Sequence, residues 1–143
     1  MVFALVAVSC LSASANSYVI QRQLETKWKS YYYGGANLYN TGCGIFSLVN
    51  AVGYLTGNSM SITEVASWAH SINAFNVNGG DGTYRLVLYP KVTKKYGADY
   101  GFTLDCNNGQ GWWAGSSSSI LKEHLANGGV AVGHVPGDRK SVV

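Results

Sequence analysis

The stretch Tyr39-Asn40-Thr41-Gly42-Cys43-Gly44-Ile45-Phe46-Ser47-Leu48-Val49-Asn50-Ala51-Val52-Gly53-Tyr54-Leu55-Thr56-Gly57 decides how the chain reads. Ile45, Leu48, Val49, Val52 and Leu55 recur at the spacing of one buried helical stripe. Gly57 follows the last of them, where a left-handed cap residue ends a helix. Cys43 stands at the start of that helix between two glycines. Helix N-termini favour negative charge, hence thiolate, and glycine neighbours leave a sulfur open to approach. Cysteine is also among the most buried residue types, so a small core residue is the competing reading. A single cysteine so placed is a candidate nucleophile.

Outward from that helix, the chain reads as α+β. Ser17 to Gln23 is a short strand or arm, and Trp28 to Tyr39 is an aromatic, glycine-broken loop leading into the cysteine helix. Ser61 opens a second helix, with Glu64 completing a capping box and Met60 and Val65 forming a hydrophobic staple. Ser71 to Thr83 is an Asn- and Gly-rich loop. A third helical segment covers Leu86 to Tyr96, with Pro90 marking a first turn or a kink. Tyr100 to Leu104 reads as a strand, Asn107 to Ser118 as a long polar loop carrying Trp112 and Trp113. Ser119 to Ala126 is a short helix with Ile120, Leu121 and Leu125 inward. Val130 to Val135 is a strand that puts Val130, Val132 and His134 on one face.

The 143 residues suit one domain, with 47% hydrophobic and only 12% charged residues. A net charge of +3 is too small to argue for nucleic acid, and Lys91, Lys94 and Lys95 read as a solvated helix face. Phe3 to Val8 is a short apolar core followed by Ala13-Ser14-Ala15, a small-residue cleavage pattern. Residues 1–15 therefore read as an export signal and 16–143 as the mature domain, secreted or at the cell surface. A buried N-terminal strand is the alternative. The apolar run is too short to span a bilayer. Once Cys10 leaves with the signal, Cys43 and Cys106 remain, and a disulfide between them would disable the nucleophile. The cysteines and the histidines His70, His124 and His134 show no metal-ligand spacing, and no cofactor is expected.

Gly42-Cys43-Gly44 opening a helix, the Gly57 stop, the Ser61-capped helix, Lys94-Lys95-Tyr96-Gly97 and Leu125-Ala126-Asn127-Gly128-Gly129-Val130 together resemble the papain-like cysteine peptidases. Within them the likeness is to the bacterial peptidases akin to the double-glycine, bacteriocin-processing type, and it covers roughly Trp28 to Gly137. The resemblance implies a nucleophile helix packed on an antiparallel sheet, and hydrolysis of a peptide or amide through a Cys43 thioester. It implies a histidine base, an orienting Asp or Asn, and a side-chain oxyanion donor. Papain-like enzymes carry that donor, a Gln, six residues before the cysteine; here the position holds Asn37, which is equally an ordinary polar turn residue. The family's histidine follows a strand and a tight turn, but here Pro136-Gly137 leads into Asp138-Arg139-Lys140. The sheet therefore reads as cut off at its C-terminal end, with an exposed edge open to self-association. His134, near the end of its strand, is the remaining candidate base; a hydrogen-bonded rim histidine is the competing reading. The expected partner is a peptide or cell-wall-derived substrate.

A reading of a different class is a non-catalytic module for cell-wall glycan or peptide. Tyr31, Tyr32, Tyr33, Tyr39, Trp112 and Trp113 would then form a stacking face, with Cys43 structural. Packing at loop bases is the competing use of such aromatic residues.

Overall fold

The computed structural model of the chain describes residues 2–7, 18–76, 82–106, 112–113, 118–134 and 141–142. Cys10 and residues Gly79, Gly80 and Asp81 lie outside them. Helices and antiparallel strands are mixed, as an α+β chain requires.

The cysteine helix forms where the apolar stripe places it. After the four-residue helix α1 (Leu38–Thr41), α2 runs over Cys43–Thr56 and ends on Gly57 in the left-handed region, φ 75°. Ile45, Leu48, Val49, Val52 and Leu55 are all buried, and with Leu38, Met60, Val65, Leu88 and Val92 they make one core. Helix α3 (Ile62–Ser71) packs beside α2. Its N-cap Ser61 accepts a hydrogen bond from the Glu64 N–H, and Met60 and Val65 are buried together as the staple requires. Before α1 the chain is more ordered than a loop. A 3₁₀ turn covers Thr26–Ser30, and β2 (Tyr32–Tyr33) pairs with β3 (Ala36–Asn37). Gly34 and Gly35 both have positive φ, 60° and 83°, the requirement of a two-residue hairpin turn. Sequence periodicity missed this hairpin because each strand is too short to show alternation.

A second small hairpin pairs β4 (Phe75–Asn76) with β5 (Gly82–Thr83). Helix α4 (Arg85–Val92) carries Pro90 in its interior and passes into a π turn over Thr93–Gly97, then α5 (Ala98–Tyr100). Pro90 thus does not mark a first turn. The helical run continues, and Gly101 closes it at φ 72°.

The remaining strands form one antiparallel sheet. Its members are β1 (Val2–Ala7), β6 (Thr103–Asp105), β7 (Trp112–Trp113), β8 (Val130–His134) and β9 (Ser141–Val142), ordered β6-β1-β8-β9 with β7 also on β1. The run expected as the core of an export signal is therefore its central strand, with Leu5 opposite both Asp105 and Ala131. Six apolar residues in a row satisfy a buried strand as well as a signal core, so composition alone does not separate the two. Strand β8 is flanked by β1 on one side and β9 on the other. Helix α2 packs against β8 and β9.

Helix α6 (Ser118–Ala126) leads into β8, but its buried face differs from expectation. Ile120 and Leu125 face outward, and Leu121 with His124 faces in. His124 Nε2 lies 3.1 Å from the Val130 carbonyl, which fixes it as the protonated nitrogen, and the ring occupies the space a Cβ on Gly129 would need. His124 is thus a buried latch between α6 and β8.

Candidate active site

Gly42 is the single residue between α1 and α2, and it holds the two helices in one continuous bonded path. Its N–H donates to the Leu38 carbonyl and its carbonyl accepts from the Phe46 N–H, both at 3.0 Å. Cys43 is thus the first residue of a 14-residue helix, half-buried, a thiol not joined to Cys106. Cys106 is buried in the core. The flanking glycines serve a different purpose from the access expected of them. Both are buried: a Cβ on Gly42 would lie 2.5 Å from the Leu38 carbonyl oxygen, and one on Gly44 would lie 2.7 Å from Thr83 Cβ. They let neighbouring chain segments close on the helix start, which leaves Cys43 as the half-exposed position between two sealed ones.

The two hairpins supply the walls. Tyr33, fully buried at the end of β2, meets Thr83 of β5 through a 2.9 Å hydrogen bond between hydroxyls. Burial pushes the Tyr33 phenol up to about 12; the bond from Thr83 opposes this, and nearby charge on Cys43 adds to it. Thr41 Oγ1 donates to the carbonyls of Tyr33 (2.7 Å) and Asn37 (2.8 Å), tying the first hairpin to α1. Gly82, at φ 68°, lies so close to the Thr41 carbonyl that no side chain fits there. Gly34 is pressed against Gly82 in the same way, 2.8 Å from Gly82 Cα to its would-be Cβ. The packing around the cysteine thus needs glycine at four positions, three against backbone and Gly44 against the Thr83 side chain.

Asn37 is the N-cap of α1, its Oδ1 accepting from the Asn40 N–H at 3.0 Å. The cap uses the oxygen only. Among the described residues the Asn37 side-chain NH₂ has no hydrogen-bond partner, so a donor is left over six residues before the cysteine. His134 ends β8, opposite Val2 on one side and Ser141 on the other, in a strand against which α2 packs. His70, at the end of α3, stacks on Phe75 with ring centroids 4.5 Å apart and stands edge-on to Tyr32 at 6.4 Å. It belongs to the outer side of the two hairpins.

The aromatic residues expected as one stacking face are divided by the fold. Alternation along β2 turns Tyr33 into the core and leaves Tyr32 62% exposed. Tyr31 is half-buried, its hydroxyl 2.7 Å from Ser67 Oγ and donating to the Thr63 carbonyl at 3.1 Å. Tyr39 lies under the Lys29 ammonium, 4.8 Å from its ring centroid. Trp112 and Trp113 pair with Phe3 and Val2 of β1, on the opposite side of that strand from β8.

Among the described residues no group of three His, Cys, Asp or Glu side chains is placed to hold a metal ion, and no helix is long and apolar enough to cross a membrane. No family model matches the chain, and neither does any curated protein or solved structure.

Proposed function

We propose that the chain is a thiol hydrolase of papain-like type that cleaves a peptide or related amide through Cys43. The observation that carries this reading is the half-exposed, unbridged thiol at the first position of a 14-residue helix, sealed on both sides by buried glycines. The helix start fixes the sulfur, and the N–H groups of the first turn favour negative charge developing beside it.

In the proposed reaction the sulfur attacks the carbonyl carbon and forms a C–S bond as the carbonyl oxygen takes the charge. The Cys43 N–H and the spare Asn37 amide stabilise that oxygen. His134 takes the thiol proton and gives it to the departing amine as the C–N bond breaks. Water, deprotonated by the same imidazole, then cleaves the thioester and returns the acid and the thiol. Reading His134 as base and Asn37 as donor rests on the family likeness, on α2 packing against the strand that ends in His134, and on the unused Asn37 NH₂.

The test is the rate of Cys43 alkylation by iodoacetamide across pH 5–9, read by mass spectrometry, alongside turnover of a fluorogenic peptide mixture. The proposal expects labelling at neutral pH at least about tenfold faster than free cysteine. Slow labelling together with no turnover would overturn it. His134→Ala should abolish the excess rate if His134 is the base. Asn37→Asp keeps the helix cap and removes the donor, so turnover should fall by about 10²-fold while stability holds.

A further inference from the structure

On the outer face of α3, away from the walls of Cys43, an open groove of about 770 Å³ lies between that helix and the π turn. Its volume falls inside the range of roughly 300–1,000 Å³ that small-molecule sites occupy. Trp68 and Tyr96 line it with their ring planes 84° apart and centroids at 5.2 Å, an aromatic corner. Glu64 and Lys95 line it as well, both exposed, and among the described residues neither has an ion-pair partner. Ser67 and Ser71 place hydroxyl oxygens one helical turn apart, Ser71 donating its proton to the Trp68 carbonyl at 2.7 Å, and Tyr31 closes the groove, its hydroxyl held by Ser67 and Thr63. Burial, then the Glu64 carboxylate and Tyr100, hold the Tyr96 phenol protonated and able to donate.

We propose that this groove is a binding site for a neutral oligosaccharide of pyranose units. Sugar rings present flat apolar C–H faces and a rim of hydroxyls, which an aromatic corner surrounded by carboxylate, ammonium and hydroxyl groups complements on both counts. One acid and one base cancel, so the groove offers no field for a polyanion. An extended peptide needs open backbone groups, and the lining here is helical, its N–H and C=O groups consumed within the helices. An amphipathic helix needs a continuous apolar stripe, which Thr63, Glu64, Ser67 and Ser71 interrupt.

The π turn is the second, independent observation. Each residue inserted into a helix rotates the succeeding residues by about 100°, so the wide turn over Thr93–Gly97 sets the direction of Lys95 and Tyr96. Single π turns inside helices are frequently found at functional sites.

The experiment is a calorimetric and NMR titration of the intact chain with triacetylchitotriose, cellotriose and, as a peptide control, trialanine. Saturable binding of at least one sugar is expected, weakened tenfold or more by Lys95→Ala and by Ser71→Trp, which fills the groove from its exposed rim. The far-UV spectrum and the labelling rate of Cys43 should be unchanged in both variants. The proposal is overturned if neither sugar binds at about 10 mM, a generous ceiling for weak recognition. It is equally overturned if Ser71→Trp leaves sugar binding intact, or if trialanine binds as well as the sugars. Because Cys43 labelling is read in the same samples, loss of the groove reading and loss of the hydrolase reading are separable.

Discussion

Tyr33 joins the two hairpins to the cysteine, and its ionisation is the cleanest handle on how tightly they close. Burial raises the folded phenol to about 12 from the ordinary 10, so the neutral form is the one the fold prefers. The stability this contributes is fully present below pH 10 and is lost as pH rises through 12. It amounts to roughly 2–3 kcal/mol. Urea unfolding followed from pH 9 to 12 should show the midpoint falling across that window, and Tyr33→Phe should flatten much of the fall. Tyr18 and Tyr96 are also raised by burial and will leave a residual slope of the same sign. At the same site, Gly44→Ala brings a Cβ against Thr83 and should cost about 1–3 kcal/mol, the range for an overpacked core, with Cys43 labelling altered as β5 moves. Cys43 itself was legible in the sequence from its helix and its glycines. The role of those glycines was not, because their demand comes from Thr83 and Leu38, and sequence spacing does not report which distant segment lands on a given Cα.

The elements divide by how local their causes are. Helices α2, α3 and α6 and strand β8 were legible because each carries its signal within its own length: a 3.6-residue stripe, a Ser61 cap, a Gly-Gly stop. The β2–β3 hairpin, the π turn and the inward face of α6 depend on contacts made elsewhere. His124 illustrates this. Nothing in Lys122-Glu123-His124-Leu125 marks the third residue as the buried one until Gly129 brings the Val130 carbonyl to its ring. A double-mutant cycle tests that latch. Gly129→Ala forces the imidazole out and should destabilise by about 1–3 kcal/mol, and much less so in a His124→Ala background, where the space is empty. A second clamp lies at the other end of the chain. Asn50 of α2 grips the arm through three hydrogen bonds: Oδ1 accepts from the Gln21 N–H and the Tyr18 hydroxyl, and Nδ2 donates to the Gln21 carbonyl. Gly53 gives the Tyr18 ring its seat. Asn50→Ala should release the arm alone, so hydrogen exchange at the Gln21 amide should accelerate strongly while α2 amides keep their protection.

For the whole molecule the decisive question is what residues 2–7 do, because two readings of one apolar run exclude each other. As a signal core the run leaves the protein; as β1 it holds the sheet. Its register is antiparallel on both sides, Val6 opposite Leu104 and Val130, Ala4 opposite Val132, so its removal would strip hydrogen bonds from β6, β7 and β8 at once. An unpaired backbone group cut off from water costs about 1–3 kcal/mol, and several such groups exceed the margin of an ordinary domain. The chain of residues 16–143 should therefore unfold at lower urea than 1–143, or associate through the slot that β1 vacates. Adding a peptide of residues 1–9 should restore the monomer and the midpoint, since an open slot between two strands accepts a third by main-chain pairing. The N-terminal residue of the protein made in a secreting host, read by mass spectrometry, decides between the two uses. An intact N-terminus and a less stable 16–143 would establish β1 as structural. Cleavage at Ala15 with an equally stable product would mean that the sheet closes without β1, and that β6 and β8 meet by another route.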